Sequence, residues 1–154
     1  MKLAVIRIRG CVGVPEDVEY TLKLLRLHKK FNVVLVDDTP SIRGMLHKVK
    51  DYVTWGEIDR DTLTLLLKYR GRVVGGDRLR EKHLKKLGFS SFEELADAIL
   101  EGHVDLRKEP FIKPVFRLHP PKGGFRYSIK KHYGNQGELG YRGSDINNLL
   151  KRMI

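Results

Sequence analysis

Residues 32–58, NVVLVDDTPSIRGMLHKVKDYVTWGEI, decide the fold of this chain. Asn32–Asp37 (NVVLVD) is almost entirely apolar and β-branched, as in a central or covered strand. Thr39-Pro40-Ser41 then opens a helix, with Thr39 as its cap and Pro40 just inside, where a missing N–H costs nothing. Ile42, Met45, Leu46, Val49 and Val53 follow as one amphipathic stripe. Val53–Ile58 (VTWGEI) returns to strand. Upstream, residues 3–9 alternate, with Ala4, Ile6 and Ile8 on one face and Leu3, Val5, Arg7 and Arg9 on the other, which predicts a strand. A loop, Gly10–Val14, leads to Pro15 and a helix with Glu16, Asp17 and Glu19 at its N-terminal end, where the backbone dipole favours acids. Val18, Leu22 and Leu25 mark its buried side. Residues 1–58 therefore read β-α-β-α-β, an α+β unit.

Outward from that unit the texture changes twice. Residues 59–106 predict a helical extension: short helices at 61–69 and 77–87 around a Gly-rich turn, Gly71–Gly76, then a helix begun by Ser90-Ser91-Phe92-Glu93-Glu94 with capping-box character. From Arg107, Pro110, Pro114, Pro120 and Pro121 exclude a regular helix, and repeated glycines continue the irregularity. Basic residues alternate there with Phe111, Phe116, Phe125, Tyr127, Tyr133 and Tyr141. Residues 107–154 read as a basic extended arm that ends in a helix over Asp145–Met153.

The chain carries 30 Lys and Arg against 19 Asp and Glu, a net charge of +11, with a pI near 9.8. Such a field favours polyanionic partners, nucleic acid first. The charge is uneven: residues 1–58 carry a net +3, residues 59–106 are neutral, and residues 107–154 carry +8. With 154 residues and 41% hydrophobic content the chain can bury a core without staples. One cysteine, Cys11, permits no internal disulfide, which fits a reducing cytoplasm, and no apolar run approaches bilayer length.

Chemical motifs are weak. Six histidines and one cysteine show no metal-ligand spacing, so neither metal nor cofactor is expected. Gly71-x-x-x-Gly75-Gly76 lacks the Lys-Ser/Thr ending of a phosphate loop. Gly10–Val14 faintly resembles the anion-cradling loop of acylphosphatases, which makes a small acylphosphatase-like hydrolase the alternative function. Where that family places an arginine, however, this chain has Pro15-Glu16, and Cys11 lacks an evident base.

The basic residues carry more. Arg43, His47 and Lys50 recur on one side of the second helix. Arg117, Lys122, Arg126, Lys130 and Lys131 lie among glycines, prolines and aromatics with few acids, as suits an extended segment that follows phosphates and stacks on unpaired bases. The balanced 59–106 segment suggests packing or protein contact instead.

Asp38-Thr39-Pro40-Ser41-Ile42-Arg43-Gly44-Met45 with Lys48-Val49 resembles the signature of the L-thirty family of large-subunit ribosomal proteins. Lys48–Ile58 is similar to its archaeal branch. Phe116–Gly124 and Gly140–Gly143 with Ile146-Asn147, Leu149 and Arg152-Met153 resemble the extension shared by archaeal and eukaryotic members. The resemblance implies a ferredoxin-like, three-stranded antiparallel sheet in order 3-1-2 with two helices on one face, plus the C-terminal extension. It implies a non-enzymatic constituent of the cytoplasmic large (50S) ribosomal subunit. The expected partners are large-subunit rRNA, 5S rRNA nearby and neighbouring ribosomal proteins, with no membrane and no small-molecule substrate. Eukaryotic members carry a basic N-terminal arm, and this sequence starts at its first strand, which favours an archaeal source. The 32% charged content suits a thermophile. Expected RNA-binding residues are Arg7, Arg9, Lys29, Lys30, Arg43, His47, Lys48 and Lys50 in the core, and Arg117, Lys122, Arg126, Lys130, Lys131 and Arg142 in the extension. A regulator that binds its own messenger RNA would share this chemistry.

Overall fold

Side chains alternate along Lys2–Arg7 (β1), yet all six residues are buried. A computed structural model, which describes residues 2–154, shows both faces of this strand covered. Leu3 and Val5 enter one apolar cluster with Leu22, Leu25, Ile42, Leu46 and Val49. Ala4, Ile6 and Ile8 enter a second with Leu63, Leu66, Leu95, Ile99, Leu149 and Leu150. The first cluster lies under α1 (Glu16–Leu24) and α2 (Pro40–Lys48), which flank β2 (Asn32–Asp37). After β3 (Val53–Glu57) come α3 (Arg60–Arg70), α4 (Glu81–Lys86) and α5 (Phe92–Leu100). The strands β4 (Val115–Arg117), β5 (Ser128–His132) and β6 (Gly137–Tyr141) follow, then a 3-10 turn, Gly143–Asp145, and α6 (Ile146–Met153). Helices α3, α4, α5 and α6 all contribute to the second cluster.

The sheet has six strands in the order β4-β2-β1-β3-β6-β5. Its inner three are antiparallel, with Ile6 opposite Val33 and Val5 opposite Trp55. The three-stranded antiparallel sheet expected from the sequence is therefore only the middle of a mixed sheet. Left alone, those strands would present two unpaired edges and an uncovered face bearing Ala4, Ile6, Ile8, Val33 and Leu35. β4 completes one edge by pairing antiparallel with β2, and β6 completes the other by running parallel to β3. The parallel pairing requires a long crossover, which residues 58–136 supply. Residues 107–154 thus build sheet and core, and the extended arm expected there gives way to three strands and a docked helix.

Several local expectations hold and others shift. The Thr39 hydroxyl accepts the Ile42 N–H at 3.2 Å. Ser91 Oγ accepts the Glu94 N–H at 3.2 Å while the Glu94 carboxylate accepts the Ser90 N–H at 2.7 Å, a reciprocal cap. Helix α2, however, ends at Lys48. Val53 therefore belongs to β3, and Lys50 lies beyond the helix expected to present it. At Gly56 a Cβ would collide with the Gly143 carbonyl, so glycine lets the 3-10 turn press against β3.

Candidate nucleic-acid interface

The strand register collects cations at one end of the sheet. Arg7 lies opposite Val53, Asn32 opposite Arg117, and His132 opposite Leu139. The C-terminal end of β1, the N-terminal ends of β2, β3 and β6, and the C-terminal end of β4 therefore share one rim, and β5, parallel to β6, begins beyond it and reaches its level at His132. Arg9, just past β1, stacks over the Tyr52 ring at 5.0 Å and donates to the Asp51 carbonyl at 3.4 Å. His132 Nε2 lies 3.0 Å from the Asp51 carboxylate, which brings Lys130 and Lys131 to the same rim. Lys29 and Lys30 are exposed in the α1–β2 connection, and Lys30 lies over the Phe31 ring at 5.1 Å. Phe31 in turn meets Phe125, with ring centroids 6.2 Å apart, so the chain leading to Arg126 passes here as well. Arg9, Lys29, Lys30, Lys50, Arg117, Lys130 and Lys131 form no ion pair among the described residues.

Lys122 and Arg126 sit further along, exposed beside α6. Arg152 donates to the carbonyls of Lys122, at 3.0 Å, and Gly124, which pins this Gly-rich loop to the helix. Next to it, Arg126, Tyr127, Tyr133 and Arg152 line a cleft of about 450 Å³. Tyr127 and Tyr133 are both exposed, aromatic faces on which a base could stack.

The other expected residues lie elsewhere. Arg7 is fully buried. Its guanidinium donates to the carbonyls of Leu27 at 2.7 Å and Arg9 at 2.9 Å, and pairs with Glu19 at 3.2 Å. Arg142 is buried too, and donates to Thr54 Oγ1 at 2.8 Å and to the Glu138 carboxylate at 2.7 Å. Glu138 also accepts the N–H groups of Arg126 and Tyr127, both at 3.1 Å, so the pair ties β6 to β3 and to the preceding loop. Both arginines are therefore shielded from a phosphate in this structure, and their charges are met by internal acceptors. Arg43 is exposed but forked onto Asp38, at 2.5 and 2.9 Å. That hydrogen bond, more than charge alone, holds the Asp38 carboxyl below its ordinary pKa. Arg43 also stands near Leu3, Trp55 and Glu57, away from the cationic rim. His47 and Lys48 are exposed on α2, with Lys48 3.8 Å from Asp17.

Sequence reasoning missed a further group of cations. Arg70, Arg72 and Lys113 lie beside Lys29 and Arg117. The signal was present at a finer scale: the neutral 59–106 segment holds eight Lys and Arg against two acids within 68–86, and the rest holds one against seven. Averaging over the whole segment cancelled them. Among the described residues, no cluster of three or more metal-ligating side chains occurs.

Residues 3–53 match the family model described as "Ribosomal protein L30p/L7e". The chain is 58% identical to "Large ribosomal subunit protein uL30" of Hyperthermus butylicus, across 98% of this chain and 89% of that protein. The proteins of the same name from Thermofilum pendens and Archaeoglobus fulgidus are 56% and 51% identical, with coverage of 97% and 97%, and of 97% and 98%. Similarity thus runs through the six-stranded sheet and α6, well beyond the 3–53 core. The chain belongs to the uL30 family of large ribosomal subunit proteins.

Proposed function

We propose that this chain is a structural, non-enzymatic constituent of the large ribosomal subunit that holds rRNA by neutralising its phosphates. One observation carries the reading: the sheet gathers unpaired cations onto a single rim, in a chain whose relatives are named as large-subunit proteins. Rigid strands position that charge, so the contacts would orient RNA helices without reading their sequence. Arg9, Lys29, Lys30, Lys50, Arg117, Lys130 and Lys131 form the proposed rim. Lys122 and Arg126 continue it along the loop, with His47 and Lys48 on α2 as outlying contacts. Family membership replaces the acylphosphatase-like alternative. A place near 5S rRNA and contacts with neighbouring ribosomal proteins belong to the same proposal, and cross-linking within intact subunits checks both.

Charge reversal at Lys122, Arg126 and Lys130 tests the phosphate mechanism. Binding of the variant to large-subunit rRNA should weaken, and its dependence on salt should flatten by roughly one unit of log–log slope for each phosphate no longer neutralised. If affinity and slope both matched the parent, the loop and β5 would have no phosphate role.

A further inference from the structure

The recess between the end of α3 and the β4 edge was assigned no role by the sequence. It encloses about 540 Å³ and is lined by His28, Lys29, Arg70, Arg72, Lys113 and Arg117, with Asn32, Gly76, Pro114 and Val115. Among the described residues, no carboxylate lines it. Arg70 is half-buried, its Nε closed off from solvent with no hydrogen-bond partner, and it forms no ion pair among the described residues. That one N–H has lost its hydration without gaining an internal acceptor, so no protein group among the described residues offsets the Arg70 charge.

The walls are braced from separate parts of the chain. The Lys113 N–H donates to the Arg72 carbonyl at 2.9 Å, the Val74 N–H to the Phe111 carbonyl at 2.8 Å, and Val73 bridges Ile112. The Gly71–Gly76 turn is thereby clamped to the strand that leads into β4. On the opposite wall Arg117 faces Asn32 across the β2–β4 pairing. These links hold three separate basic segments around one space, where mutual repulsion disfavours them unless an anion fills it.

From this geometry we infer a phosphate cradle for rRNA backbone, built by Arg70, Arg72 and Lys113 together with Lys29 and Arg117. The inference rests on the proposed ribosomal role and extends it into residues 59–106, which would otherwise serve only packing and protein contact. RNA is favoured over an acidic protein because these clustered cations line the recess and are continuous with the rim of Lys29, Lys30 and Arg117. A polyanion with one charge per nucleotide matches that density, and three arginines supply forked donors suited to phosphate.

The test compares the parent with an Arg72→Gln, Lys113→Gln double variant, which spares half-buried Arg70. A second double variant, Arg107→Gln with Lys108→Gln, removes equal charge beside Asp37, at the far end of β2. Each is titrated against deproteinised archaeal large-subunit rRNA over a range of salt, with thermal unfolding to verify the fold. The cradle predicts a Tm no lower than the parent's and about tenfold or greater loss of affinity. It also predicts a slope shallower by about one to two in the first variant only. Parent-like binding by the first variant would overturn it, including the case where that variant binds rRNA normally but fails to enter subunits, which would indicate a protein partner. Equal losses in both variants would overturn it too, since overall charge would then explain the effect. No binding by the parent would instead remove the ribosomal reading itself, and the cradle with it.

Discussion

Arg7 shows how one residue can mislead a reading of sequence. In a strand with period two, an arginine beside Leu3 and Val5 looks like a surface cation at the strand's end. It lies instead beneath α1, where two carbonyls and Glu19 satisfy it. Alternation reports which face a side chain takes and says nothing of whether another layer covers that face. Arg142 was misplaced for the same reason, since its partner Glu138 sits in a strand that composition hid. Replacing Arg7 with Gln should cost about 3 kcal/mol, because Glu19 and the Leu27 carbonyl lose their partner. Chemical denaturation would record the loss, while rRNA affinity of the folded variant stays at the parent's level. An RNA role for Arg7 would show the reverse. Asp145 makes a pH prediction. The Asn148 amide, then the Tyr133 hydroxyl, stabilises its carboxylate and lowers its pKa, against desolvation that would raise it. A depressed folded-state value means this stabilisation is fully present above the unfolded value of about 3.9 and disappears as pH falls through the folded one. Thermal unfolding across pH should therefore show Asp145→Asn losing less stability than the parent in that acid range.

Among the elements, legibility followed the strength of the periodic signal. The first three strands and α1 and α2 were readable because apolar residues recur there at clear periods and caps mark the starts. β4 has three residues after a proline, and β5 and β6 are basic or glycine-rich, so neither propensity nor alternation reveals them. Their pairing is decided by long-range contacts with the open edges of β2 and β3. Helix α6 was visible in the sequence, but its role in closing the second face of the sheet was not. Leu150 on α6 is fully buried in that layer. Leu150→Ala should destabilise the whole fold by about 2–5 kcal/mol in one cooperative transition. A loss confined to the C-terminal segment, with the rest unfolding as in the parent, would mean that α6 is an appendage and not part of the core.

For the whole molecule, the net charge of +11 announced a polyanionic partner, and the fold decides where that charge works. Some cations are spent inside, as with Arg7 and Arg142, or paired on the surface, as with Arg43. Those at the rim and the recess beside β4 remain open. The candidate site was thus half legible: sequence supplied the cationic residues, while only tertiary packing separates those facing outward from those consumed within. The most direct measurement is sedimentation of a cell extract through sucrose gradients at low and at high monovalent salt. The chain should travel with large subunits in low salt and be stripped to the top of the gradient by high salt, as phosphate-held contacts require. Its absence from the large-subunit peak even in low salt would contradict the account.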